Sequence, residues 1–167
     1  MNPFKIELLT TKHHKQKFDC GVKELNHYLQ SMASQHATKG ISRTFVLVHP
    51  QEPENILGFI TLAICEINAQ ILPTQFAKKF PSKVPGAKIG RLAISRKHQR
   101  QGLGELLMLH AMNQMLLVHH VFGLTGVLVD AKHEQAQQYY IRYGFIPLPQ
   151  IPLTLFLPIK TLLEAFK

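Results

Sequence analysis

The 167-residue sequence lacks most of the features that assign a chain to a class at a glance. No window approaches 18 uninterrupted apolar residues, and the opening MNPFKIELLT has no long apolar run. Neither a membrane span nor a secretory signal is expected, and the cytoplasm is the expected location. Two cysteines, Cys20 and Cys65, make neither a disulfide framework nor a zinc spacing and read as small buried hydrophobes. No HExxH is present. The ten histidines include sequence neighbours such as His13-His14 and His119-His120, which point about 100° apart on a helix, so no metal site is expected. G-K-[ST] is missing after every glycine turn, and G-x-G-x-x-G is missing after the first strand pattern, which removes the two commonest nucleotide loops. Acidic residues are absent between Glu66 and Glu105.

That acid-free interval holds Lys78, Lys79, Lys83, Lys88, Arg91, Arg96, Lys97 and Arg100, so much of the formal net charge of +9 is localised. It reads either as a solvated surface or as a positive field that attracts phosphates. Apolar residues make up 46% of the chain and charged residues 17%, with no long low-complexity stretch, which predicts a globular chain and one domain over residues 1–167.

Element types alternate along the sequence. FKIELLT reads as a strand, and Leu25, Tyr28, Leu29, Met32 and His36 recur at helical spacing, with Asp19 as N-cap and Gly40 as stop. SRTFVLVH and ILGFITLAICEI, separated by the turn-like PQEPEN, predict an antiparallel pair. Pro73 opens a short helix through Phe80, Pro81 to Gly86 reads as a loop, and AKIGRLAIS as a strand. A helix from about Gly102 to Val118, the strand GVLVDA, a helix in HEQAQQYYIRY ended by Gly144, and final strands in FIPL and LTLFLP complete an α/β chain with a mixed central sheet.

The stretch RKHQRQGLGELL, residues 96–107, therefore joins a strand to a helix through a basic, glycine-containing loop. The first N–H groups of a helix lack intrahelical partners and carry the positive end of its dipole, and glycines let a phosphate approach them. Gln99 to Gly104 reads Q-x-x-G-x-G, which resembles the pyrophosphate motif of the GNAT superfamily of acetyl-CoA-dependent N-acetyltransferases. The resemblance implies a GNAT fold, a mixed central sheet flanked by helices, and acetyl-CoA as acetyl donor. It assigns the pantetheine arm to the backbone of Leu92, Ala93 and Ile94, and the pyrophosphate to Gln99, Arg100, Gln101, Gly102, Leu103, Gly104 and Glu105. Arg100 stands where that family commonly has glycine.

AQQYYIRYGF carries A-x-x-x-Y-x-x-x-G-F at Ala136, Tyr140, Gly144 and Phe145. In many members of the superfamily the tyrosine matching Tyr140 protonates the departing thiolate, and the resemblance implies that role here. Tyr139 and Tyr143 read as packing residues. AKIGRLAIS offers no carboxylate as general base. A lysine amine is only about 0.04% neutral at pH 7, whereas an α-amine is roughly one-seventh neutral and needs little help.

FDCGVKELNHYL, SRTFVLV, ILGFITLA, IGRLAIS, QGLGELLM, VDAKHEQAQQYYIRYGF and IPLTLFLPI together resemble one branch, the toxin acetyltransferases of bacterial toxin-antitoxin pairs. That likeness implies an aminoacyl-tRNA substrate acetylated on its α-amine, a homodimer and a cognate antitoxin. Lys78, Lys79 and Arg91 then become candidate tRNA contacts. Acetylation of a small amine or a protein N-terminus stays open, as does a non-catalytic binding module on the same fold.

Overall fold

The computed structural model describes residues 3–167. Seven strands, β1 (Lys5–Leu8), β2 (Arg43–Val48), β3 (Gly58–Asn68), β4 (Lys83–Ile94), β5 (Gly126–Asp130), β6 (Ile146–Pro147) and β7 (Thr154–Pro158), form one sheet in the order β1-β2-β3-β4-β5-β7-β6. The helices are α1 (Lys23–His27), α2 (Ala33–Thr38), α3 (Thr74–Ala77), α4 (Leu103–Phe122), α5 (Glu134–Ile141) and α6 (Ile159–Ala165). Antiparallel pairing joins β1 to β2, β2 to β3, β5 to β7 and β6 to β7, while β4 and β5 run parallel, so the sheet is mixed as the sequence predicts. Among the described residues no helix is long and apolar enough to cross a membrane.

The chain divides into two compact units. The first runs to Ala63 and includes Gly90–Ala111. Its core sets Phe18, Tyr28, Leu29 and Ala33 of the N-terminal helical region against Val46, Val48, Phe59 and Ala93 of the strands. The alternation of a strand delivers Val46 and Val48, and likewise Arg91 and Ala93, to a common face. The second unit comprises Ile64–Ile89 and Met112–Lys167, with Ile67, Leu72, Val84, Leu128, Leu148 and Phe156 at its core.

Four expectations are corrected. Asp19 does not cap α1, whose N-cap is Val22; its carboxylate instead accepts the Gly21 N–H at 2.9 Å and the Asn26 side-chain amide at 3.0 Å. The helix after it is interrupted by a π-helical turn at Tyr28–Met32. Pro81 to Gly86 is not a loop, since β4 already starts at Lys83. Pro85 and Gly86 there mark close packing rather than a turn: the Pro85 carbonyl accepts the Thr125 N–H at 3.0 Å, and a Cβ on Gly86 would collide with Ile67 Cδ1. Finally, α4 runs past Val118 to Phe122, where His119 Nδ1 accepts the Leu124 N–H at 3.0 Å, and α6 follows β7 unforeseen.

Candidate functional site

In the first unit, β4 ends at Ile94, a single 3-10 turn occupies Arg96–His98, and α4 starts at Leu103. The loop between them is clamped from the segment around Asp19. Arg96 donates its N–H to the Asp19 carbonyl at 2.9 Å, and Ser95 donates to the Leu57 carbonyl at 2.8 Å. Gln99 Nε2 donates to the carbonyls of Cys20 and Ile94, each at 3.0 Å. The exposed Gln99 side chain thus ties the loop to the Cys20 segment and to the end of β4. The Asp19 carboxylate lies 3.6 Å from Arg96 Nη1; the Gly21 N–H first, and then Asn26 and Arg96, hold its pKa below the usual carboxylate value.

Two residues of the loop have left-handed backbone, Arg100 at φ +64° and Gly102 at φ +79°. This explains why glycine suits position 100 and why Arg100 is strained there. Replacing Arg100 with glycine relieves that strain, at the cost of a looser unfolded chain, so Arg100→Gly is expected to leave stability level or raise it by up to about 1 kcal/mol. Thermal unfolding checks this, and a drop of more than about 1 kcal/mol would mean that the guanidinium rather than the turn organises the loop.

The loop gathers the chemistry of an anion cradle. A Cβ on Gly102 would meet nothing within 4 Å, so the space in front of the turn is open. Arg96, Lys97 and Arg100 are exposed around it, and α4, at 20 residues, is long enough to present a full set of unpartnered N–H groups with the positive dipole end. Backbone donors plus cations suit a pyrophosphate. Of the sequence-predicted residues, Leu92, Ala93, Ile94 and Gln99 through Glu105 lie together on this strand, loop and helix start.

Arg91, just before that stretch on β4, lies with its guanidinium 3.7 Å from the Tyr28 ring centroid. Tyr28 is fully buried, and its hydroxyl is 3.1 Å from both His36 Nδ1 and Ser42 Oγ. Sequence reasoning places Tyr28 and His36 on a helix but misses this cluster, because the π turn that displaces the helix at Tyr28 has no pattern in the sequence.

In the second unit, α5 is capped by the His133 ring, which accepts the Ala136 N–H at 3.1 Å, and carries Tyr140. Tyr140 is buried, with its ring 5.3 Å from that of Tyr139 and 5.7 Å from that of Phe145. Burial first, and then the Tyr143 phenol, push its pKa up to about 12, so the hydroxyl is protonated throughout the neutral range. Tyr139 and Tyr143, both partly buried, pack on one another with hydroxyls 3.2 Å apart. Lys78 and Lys79 follow α3 and are exposed. The acid-free stretch does not stay acid-free in space: Lys88 pairs with Asp130 at 2.9 Å and Lys83 approaches Glu66 at 3.8 Å.

The model of the family described as acetyltransferase (GNAT) domain matches residues 40–147, which include the loop and Tyr140. The tRNA-acetylating toxin of Mycobacterium tuberculosis (strain ATCC 25618 / H37Rv) is 32% identical over 143 residues, 86% of this chain and 84% of that protein. A solved structure of AtaT complexed with acetyl-methionyl-tRNAfMet is 34% identical, with a TM-score of 0.89 over 98% of this chain and 99% of that one. A tyrosine-to-phenylalanine mutant of the AtaT toxin, bound to the C-terminus of the antitoxin AtaR and to acetyl-CoA, is 31% identical with a TM-score of 0.83 over 99% of each chain. With the fold, the glycine loop at the head of α4 and the buried tyrosine on α5 all in that company, the chain belongs to the GNAT acetyltransferase domain family.

Proposed function

We propose that residues 1–167 act as one acetyltransferase domain that transfers an acetyl group from acetyl-CoA to the α-amine of aminoacyl-tRNA, and so halts translation as a toxin. The observation that carries this reading is the 34% identity, over nearly the whole of both chains, to the AtaT that was solved with acetyl-methionyl-tRNAfMet. The basic residues and the missing carboxylate base agree with it. A cytoplasmic location follows from the substrate. A homodimer and a small antitoxin covering the site complete the proposal, the latter supported by the AtaT structure that includes the C-terminus of AtaR.

The donor is a thioester whose acyl carbon is open to attack by a neutral amine. The α4 N-terminus, Arg100 and Lys97 hold the pyrophosphate, and the backbone of Leu92 to Ile94 aligns the pantetheine arm in this reading. Gln99 keeps the loop in shape through its two carbonyl bonds. The amine nitrogen then forms its bond to the acyl carbon while the carbon–sulfur bond breaks. Tyr140 gives its phenolic proton to the sulfur, and the proton leaving the nitrogen returns through water to the phenolate, so charges balance at the end of the turnover. Burial pushes the Tyr140 phenol up to about 12, well above a thiol near 8.5 in water. The same apolar surroundings raise the proton affinity of a thiolate that leaves beside it, which narrows the gap. No general base is required, because an α-amine is already roughly one-seventh neutral at pH 7.

Lys78 and Lys79 bind the tRNA backbone in this account. Neutralising both is expected to flatten the log-log salt dependence of tRNA binding by roughly 0.7–0.9 for each phosphate that is no longer neutralised, with acetyl-CoA affinity unchanged. Titrations at several salt concentrations measure the slope, and an unaltered slope would remove both lysines from the RNA surface. Incubation with labelled acetyl-CoA tests the function itself. Label should enter charged tRNA and not deacylated tRNA, whereas efficient labelling of a small free amine with none in charged tRNA would overturn the proposal.

A further inference from the structure

The Arg91 guanidinium is a cation without a counter-charge. It forms no ion pair among the described residues, is half-buried, and rests 3.7 Å from the centre of the Tyr28 ring. Tyr28 is held from three directions. Its ring sits in the core cluster with Leu29, Ala33 and Ala93, its hydroxyl is 3.1 Å from His36 Nδ1, and the same hydroxyl is 3.1 Å from the buried Ser42 Oγ. It is also the first residue of the π-helical turn Tyr28–Met32. Such turns insert a residue at a cost in helix geometry and are frequent at functional sites. A guanidinium stacked flat on an aromatic face keeps its N–H edge free for a planar or forked anion, and the stacking removes much of the entropy otherwise lost on binding.

We propose that Tyr28 is a positioning residue: buried and fixed by His36 and Ser42, it holds the unpaired Arg91 guanidinium for a phosphodiester at the acceptor end of the RNA substrate. This rests on the aminoacyl-tRNA reading above and on the place of Arg91, immediately before Leu92 to Ile94. A phosphate held there lies within a few residues of the segment assigned to the acyl donor, so the interaction fixes the charged end of the substrate rather than its body. The bond is charge-assisted, so its removal is felt in KM for the RNA and not in the affinity for acetyl-CoA.

A double-mutant cycle on purified full-length protein tests the pair, with charged tRNA as substrate and acetyl-CoA saturating. Arg91→Gln should raise KM for charged tRNA roughly 10- to 100-fold, the range of a charge-assisted hydrogen bond, and flatten the salt dependence by roughly 0.7–0.9. Tyr28→Phe keeps the ring and its packing and removes only the hydroxyl that His36 and Ser42 fix. It should raise KM by roughly two- to fivefold, with kcat held. The decisive result is the third variant: in an Arg91→Gln background, Tyr28→Phe should change KM no further. An equal effect of Tyr28→Phe in both backgrounds, or an effect on kcat alone, would make Tyr28 a packing residue and overturn the inference. Unchanged KM and salt slope in Arg91→Gln would do the same while acetylation of charged tRNA persists. Failure of the unmodified protein to acetylate charged tRNA would instead count against the functional reading itself.

Discussion

Tyr140→Phe lowers the rate of acetyl transfer by about 10²–10⁴, the usual contribution of a positioned general acid, while leaving the fold and the affinity for acetyl-CoA intact. The substitution removes one hydroxyl from a ring that packs edge-on against Tyr139 and Phe145, and a phenyl group retains both interactions. The shift of Tyr140 to about 12 arises from burial and from Tyr143, with no hydrogen bond contributing. The phenol therefore carries its proton at every pH where the enzyme is studied, and its own ionisation imposes no alkaline limit on the rate below about pH 11. Single-turnover kinetics, with thermal unfolding as a control, measures the effect where chemistry limits the rate. An undiminished rate would return Tyr140 to the hydrophobic packing of α5.

Gly104→Val abolishes acetyl-CoA binding, with an expected fall of more than about 100-fold in affinity. Gly104 lies in the first turn of α4, one residue after the buried Leu103. There the phosphate oxygens must come within hydrogen-bond reach of the backbone N–H groups, and a branched side chain occupies that space. The dipole alone is worth only about 0.3–1 kcal/mol, and up to ~2 when partly buried, so the steric effect dominates. Valine is a better helix former than the glycine it replaces, so the change costs α4 no helix propensity. Calorimetry on the folded variant decides the matter, and unchanged affinity would remove the phosphate cradle.

The site was legible where its chemistry is local. The strand–loop–helix transition at residues 94–103 is visible because basic residues, glycines and a run of Leu and Met follow one another directly, and Tyr140 because A-x-x-x-Y-x-x-x-G-F falls within ten consecutive residues, with Ala136 and Tyr140 on α5 and Gly144 and Phe145 just after it. What the sequence hides is set by partners distant in the chain. Gly86 resembles a turn residue until Ile67 is seen to fill the space a Cβ would need. Asp19 resembles an N-cap until Gly21, Asn26 and Arg96 gather around its carboxylate. The charge of the basic stretch is overestimated from sequence for the same reason, since Asp130 and Glu66 reach back to Lys88 and Lys83 from outside it. Tyr28 shows the limit most clearly. Helical spacing puts it in the core, but its stacking with Arg91 depends on a π turn and on a strand some sixty residues later.

The most direct test of the central claim follows the nitrogen that is acetylated. The protein is incubated with acetyl-CoA and a pool of charged tRNAs, the ester bond is hydrolysed with mild base, and the released amino acids are identified by mass spectrometry. N-acetylated amino acid in the hydrolysate, dependent on both acetyl-CoA and Tyr140, is the predicted result. Only free amino acids from every charged tRNA, in a preparation that still acetylates a small amine, would contradict it.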